Sequence, residues 1–234
     1  MSDERPLAVV LASGGMDSCV VLALAARDYR VAALHASYGQ RTAARELKAF
    51  NDLADFFEVP ADRRLVVDLS HLARIGGSAL TDASQPIPEG KPSTEGIPAT
   101  YVPFRNANLL SIATAWAEVL GAEKIFFGAM EQDSSGYPDC RRVFVEAFNR
   151  LIAAGTRPET SVQVVAPLLH LSKGEVVRLG LKLRAPFHLT WSCYQSEEVA
   201  CGRCESCLLR LKGFREAGAT DPIPYATTRP SRGG

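Results

Sequence analysis

Apolar and polar positions along the chain follow two rhythms, and the switches between them predict the elements. Leu7 to Ala12 is an unbroken apolar run between polar residues and a glycine turn, and it reads as a buried parallel strand. Ser18 to Ala26 is apolar nearly all round and reads as a buried helix. Val31 to Ala36 repeats the strand pattern. From Thr42 to Phe57 the period is helical: Leu47, Phe50, Ala54 and Phe57 share one face, while Arg45, Lys48, Asp52 and Asp55 lie away from it. Leu65 to Leu69, Lys124 to Ala129 and Val162 to Ala166 predict three further strands. Asn106 to Leu120, Val143 to Ala153 and Leu208 to Ala217 predict helices. Ser172, with Glu175 three residues on, predicts a capping box at the start of one more, short helix.

Strands alternating with helices imply an α/β fold with a doubly wound parallel sheet, and there is no internal repeat. In such sheets ligands bind beyond the carboxyl ends of the strands. The loops beginning at Ser13, Ser37, Met130 and Pro167 are therefore expected to line one cleft. Residues 75 to 100 carry Gly76, Gly77, Pro86, Pro88, Gly90, Pro92, Gly96 and Pro98, which exclude regular structure over most of the stretch. A loop of this length is commonly a functional lid or disordered. The expected organisation is a main domain over 1–185, a small cysteine-bearing appendage over 186–220 and an extended or frayed tail over 221–234.

Composition adds constraints. Of the 234 residues, 47% are hydrophobic and 22% charged, enough for an ordinary globular core. The formal net charge is zero and no run of Lys or Arg appears, so no broad nucleic-acid face is expected. No apolar stretch nears the roughly 18 residues of a membrane span. The first apolar run is short, follows acidic residues and ends in a glycine loop, unlike a signal peptide. The cytoplasm is the expected compartment.

The chemistry begins at Ser13-Gly14-Gly15-Met16-Asp17-Ser18, between the first strand and the first helix. Two glycines let backbone N–H groups converge on an anion, a helix N-terminus adds donors and dipole, and two serines add hydroxyls. The string is neither a Walker A loop nor GxGxxG. The plain alternative is a tight turn with an N-cap. As a whole, the string resembles the PP-loop of the N-type ATP pyrophosphatases, which cleave ATP to AMP and pyrophosphate.

Four of the six cysteines, Cys193, Cys201, Cys204 and Cys207, crowd into 15 residues. In a cytosolic chain that points to metal before disulfides. Zinc favours four thiolates in a tetrahedron, which leaves no place for water and makes the site structural. The Gly202 between Cys201 and Cys204 suits the turn that aims both sulfurs at one ion. An iron–sulfur cluster and reactive thiols are the rival readings. Cys19 and Cys140 read as small apolar fillers, His188 as packed or as a spare ligand, and Phe187 and Trp191 as packing around the cysteine loop.

Two further stretches hold groups that a small polar ligand needs. In Tyr101-Val-Pro-Phe-Arg105-Asn106, Arg105 offers a two-pronged donor for a carboxylate or phosphate, while Asn106 serves equally as a helix N-cap. In Asp133-Ser-Ser-Gly-Tyr137-Pro-Asp139-Cys140-Arg141, the ring can stack on a planar heterocycle and a carboxylate can accept from an amidine edge such as guanine's. Turns are rich in such residues anyway. His35 and Tyr38 end the second strand, where adenine or ribose, or ordinary packing, would occupy them. Lys173, at a helix start, meets either phosphate or solvent.

Taken together, SGGMDS, HASYGQR, YVPFRN, SGYPDCR, LSKGEVVRLG, WSCY and CGRCESCLLR fall in the order and spacing of one family. From about residue 7 to about 215 the chain resembles the 7-cyano-7-deazaguanine synthases of the queuosine pathway. The resemblance implies conversion of 7-carboxy-7-deazaguanine and ammonia to the nitrile with consumption of ATP and Mg²⁺, through an adenylated carboxylate and an amide. It implies Ser13, Asp17, Ser18 and Lys173 at the reacting centre, and Ala12, Ser13, Gly14, Gly15, Met16, Asp17, Ser18 and His35 at the nucleotide. Arg105, Asp133, Tyr137 and Arg141 are expected at the acid substrate. One structural Zn²⁺ per chain is expected on the four cysteines, in a homodimer. A different adenylating PP-loop enzyme and a relative that stops at another product are the competing readings.

Overall fold

The computed structural model describes residues 4–90, 96–131 and 136–226. Five strands, β1 (Leu7–Leu11), β2 (Arg30–Ser37), β3 (Arg64–Asp68), β4 (Lys124–Phe126) and β5 (Gln163–Val165), form one parallel sheet in the order β3-β2-β1-β4-β5. β1 lies at the centre, with Val9 opposite Ala32 on one side and Ile125 on the other. All five of its residues are buried, as an unbroken apolar run requires when both faces of a sheet are covered.

The chain winds outward from β1 to β3, then returns across the sheet to β4. Strand order therefore reverses between β1 and β4, and a crevice opens beyond their carboxyl ends. Helices α1 (Met16–Asp28), α2 (Ala43–Phe56), α6 (Lys173–Lys182) and α7 (Glu205–Glu216) cover one face around Val10, Val20, Phe50 and Phe214. Helices α4 (Arg105–Leu120) and α5 (Arg142–Gly155) cover the other around Val9, Leu110 and Phe148. The doubly wound parallel sheet is thus present as expected.

Two local expectations differ from what the chain does, and one short helix is not among the predicted elements. The fourth strand stops pairing after Phe126, because β1 ends at Leu11 and turns into the glycine loop, while Phe127 N still donates to Val165 O at 2.9 Å. A five-residue helix, α3 (His71–Ile75), precedes the irregular stretch and is too short to display a helical period. Asn106 is not the N-cap of α4. That place belongs to Phe104, in the left-handed region at φ 57°, and Asn106 lies inside the first turn, where its N–H donates to Asp139 Oδ2 at 3.0 Å.

The tail is extended, but it is docked rather than frayed as far as residue 226. Ala200 N donates to Pro224 O and Ala226 N to Ala200 O, at 3.0 and 2.8 Å, and Ile223 is buried. Asp221 anchors it. Its carboxylate takes Arg210 Nε and Nη2 at 2.7 and 2.9 Å, and Tyr225 Oη donates to it at 2.6 Å. Arg210 also donates to Thr190 Oγ1 at 2.6 Å and to Phe187 O at 3.2 Å, so a guanidinium only 1% exposed has partners on three sides.

Candidate active site and cysteine cluster

The crevice at the switch point holds a cavity of about 280 Å³ whose lining runs from the glycine loop to the N-terminus of α4. Gly14 has φ +83°, and a Cβ there would lie 2.6 Å from Glu46 O of α2. Only glycine lets the loop turn while seated so closely on that helix. From the opposite side Trp191 N donates to Gly14 O at 2.9 Å. Within the loop, Ser13 Oγ accepts from Gly15 N at 3.2 Å, and Ser18 Oγ donates to Gly15 O at 3.0 Å. No side chain caps α1, which leaves its first-turn N–H groups to a ligand or solvent.

Lys173 reaches this loop from the start of α6, where Ser172 and Glu175 form the expected capping box. Its Nζ donates to Asp17 Oδ2 at 2.6 Å, with the lysine side chain 10% and the aspartate side chain 30% exposed. Asp17 Oδ1 is buried and accepts no hydrogen bond among the described residues. A buried carboxylate oxygen in that condition fits a hard cation, which takes oxygen ligands.

At the other end of the cavity stand Arg105, Tyr38, Glu46, Tyr137 and Tyr194. Arg105 Nη1 donates to Tyr38 Oη at 3.1 Å and its guanidinium lies over the Tyr38 ring at 5.2 Å. Its other donors rest on Asn106 Oδ1 at 3.1 to 3.3 Å. Tyr137 Oη donates to Thr100 Oγ1 at 2.9 Å, and Thr100 in turn meets Glu205 Oε2 at 3.3 Å. Burial pushes the Tyr38 phenol up to about 12, with the neighbouring Arg105 charge opposing the rise.

Of the residues expected at the nucleotide, Ala12, Ser13, Gly15, Met16, Asp17 and Ser18 line the cavity, and Gly14 shapes the loop from behind. His35 does not line it. The ring is 1% exposed, packs on Phe50 at 5.1 Å and supports the loop through Nδ1 against Ala12 O at 3.0 Å. Arg105 and Tyr137 line the cavity, whereas Arg141 is exposed at the N-cap of α5, and Asp133 lies outside the described residues. Trp191 packs beside the cysteines, as expected. Phe187 packs against Phe214 at 5.2 Å in the core under α6 instead.

The sulfurs of Cys193, Cys201, Cys204 and Cys207 lie within 4.8 Å of one another and all four residues are buried. Cys201 and Cys207 Sγ are 3.9 Å apart, close to the roughly 3.8 Å edge of a tetrahedron built on 2.3 Å metal–sulfur bonds. Backbone N–H groups of Cys201 and Gln195 point at Cys193 Sγ at 3.4 Å, and that of Cys204 at Cys201 Sγ at 3.3 Å. Gly202, at φ +71°, makes the turn that allows this. Four sulfurs so gathered can hold a metal ion, and His188 is exposed and no part of the set.

A sequence model of the family described as queuosine biosynthesis protein QueC matches residues 7–218. The chain belongs to the QueC family. It is 57% identical over 231 residues to a 7-cyano-7-deazaguanine synthase of Acidobacterium capsulatum, covering 97% of this chain and 99% of that one. With the protein of that name from Chlorobium phaeobacteroides strain DSM 266 it shares 56% over 219 residues, 93% of this chain and 96% of the other. Among solved structures, an NH3-dependent NAD synthetase from Campylobacter jejuni aligns at 14% identity and TM-score 0.45 over 80% of this chain and 68% of that one.

Within this QueC-family chain, the cavity wall also includes residues that the sequence does not single out, among them Glu46, Tyr194 and Arg210. Glu46 sits at the border of an amphipathic helix, where a polar residue reads as solvated. Arg210 stands among Leu208, Leu209 and Leu211, and an isolated charge in an apolar stretch was the available sign. Tyr194 follows Cys193, and beside a cysteine of the cluster a tyrosine carries no sign of its own. Among the described residues, no helix is long and apolar enough to cross a membrane.

Proposed function

We propose that the protein converts 7-carboxy-7-deazaguanine and ammonia to 7-cyano-7-deazaguanine in two ATP-dependent activations. The observation that carries this is the Ser13–Ser18 loop and the Arg105 end sharing one cavity, in a chain of this family. A carboxylate is a poor electrophile and oxide a poor leaving group. Transfer of AMP to the acid oxygen turns that oxygen into part of a good leaving group, and ammonia then displaces AMP to give the amide. A second transfer to the amide oxygen, followed by loss of AMP and a proton, leaves the nitrile.

The chain's own groups divide this work by position. The loop's N–H donors and the α1 N-terminus bind phosphate oxygens. Lys173, steered by Asp17, places positive charge where negative charge grows as pyrophosphate departs. Arg105 offers donors to the acid, and Tyr137 and Tyr194 offer planar faces to its fused ring. Mg²⁺, when bound with ATP, neutralises phosphate charge, and Asp17 Oδ1 is the oxygen suited to hold it.

The four cysteines would hold Zn²⁺, which would brace the segment carrying Trp191, whose backbone N–H donates to Gly14 O of the loop. The reading includes a cytoplasmic homodimer with one zinc per chain, checked by light scattering and metal analysis. Mass spectrometry of a reaction with acid, ammonia and MgATP tests the conversion: nitrile is expected. Accumulation of amide alone identifies a relative that stops halfway, and unchanged acid defeats the proposal.

A further inference from the structure

We infer that Glu46 is the residue that reads the N–H edge of the substrate's base, accepting from the ring amide N–H and the exocyclic amine. This rests on the deazaguanine reading above and deepens it. Such an edge presents adjacent donors beside a carbonyl acceptor, so the matching surface needs an acceptor-only group beside a donor-only one. Among the described residues lining the cavity, Asp17 and Glu46 are the carboxylates. Asp17 is engaged by Lys173 at the phosphate end. Of the two carboxylates in the Asp133–Arg141 stretch, Asp133 lies outside the described residues and Asp139 caps α4 through Asn106 N and is not in the lining, while Glu205 is held by Thr100 outside it.

Glu46 has the properties required. Its oxygens are oriented by uncharged donors, Thr42 Oγ1 to Oε1 at 2.8 Å and Gln40 Nε2 to Oε2 at 3.1 Å, and each oxygen retains capacity for another hydrogen bond. Burial pushes its carboxyl up, with the Thr42 and Gln40 hydrogen bonds and the Arg105 charge opposing the rise. Arg105 lies over the Tyr38 ring at 5.2 Å, and Gln40 joins Tyr38 N to Glu46 Oε2 at 2.8 and 3.1 Å, so a donor and an acceptor are both tied to Tyr38. The backbone of Glu46 also backs directly onto Gly14, at 2.6 Å from where a Cβ would stand. The helix that would grip the base is therefore seated on the loop that would grip ATP, which fixes the distance between the two.

The test compares kcat/KM for 7-carboxy-7-deazaguanine with that for the same acid lacking its exocyclic amine, in wild type and Glu46→Gln. Wild type is expected to prefer the full acid by about 30-fold, the worth of a hydrogen bond to a charged group. In Glu46→Gln the full acid should lose about that factor, chiefly through KM, while the analogue loses less than about threefold. Equal losses for both acids would mark Glu46 as a structural support of Thr42 and Gln40 and overturn the inference, and an unchanged preference would do the same. A wild-type preference near one overturns it without any variant. Turnover of the full acid with no discrimination sinks only this inference, whereas no turnover at all sinks the proposed reaction first.

Discussion

The glycine loop and the cysteine segment form neighbouring parts of the same wall, yet they are held in opposite ways. The loop, residues 13–18, is positioned from outside, by Glu46 O behind Gly14 and by Trp191 N across from it. Its own hydroxyls only tidy the turn. The segment from Cys193 to Cys207 gathers its sulfurs inward and turns backbone N–H groups on them, so a metal would supply what its small core does not. The contrast teaches that damage to the first should remove chemistry and damage to the second should remove stability.

The largest expected effect lies in the loop. Asp17→Ala should lower AMP formation by at least about 10³-fold with melting nearly unchanged, because it removes the partner of Lys173 and an oxygen facing the phosphate end. Turnover within tenfold of wild type would break the division of roles. Next, Cys204→Ser should lose the metal and lower the melting temperature by on the order of 10 °C. Retention of one metal per chain with unchanged melting would show that the segment holds itself without one.

A third variant sharpens the boundary between the regions. Asp221→Ala strips Arg210 of its bidentate partner while the guanidinium stays buried, at a cost of about 3 to 5 kcal/mol in urea unfolding. A cost below about 1 kcal/mol would mean that the tail merely lies on the surface. The smallest effect concerns reactivity. Burial pushes the Cys19 thiol up to about 12, and burial with the Asp139 charge does the same for Cys140. Neither should be alkylated in the native protein at pH 8, where the thiol form dominates. Rapid labelling of Cys140 would reveal a reactive thiol at the cavity.

How much of this was legible follows the same contrast. The glycine loop, the four cysteines and the capping box at Ser172 are short local strings, and in the structure the loop joins β1 to α1, the four sulfurs gather and the capping box forms. The second wall of the cavity is built from distant pieces. Lys173 meets Asp17 across 156 positions and Arg210 meets Thr190 across 20, so no window along the chain displays the contact. His35, near the end of a strand, reads as a nucleotide contact or as ordinary packing. It is in fact buried under the loop, since a strand end can face the core as readily as the cleft. Asn106 reads as a cap because of its type, but a left-handed Phe104 and a carboxylate from Asp139 do that work, and neither leaves a local trace.

The central claim is that the glycine loop presents the α-phosphate of ATP to the substrate's carboxylate. Chromatography of the nucleotides released in the presence of MgATP, ammonia and 7-carboxy-7-deazaguanine tests it most directly. AMP and pyrophosphate should appear together and only with the acid, in step with its consumption. Release of ADP and phosphate instead, or acid consumed with no AMP formed, would contradict it.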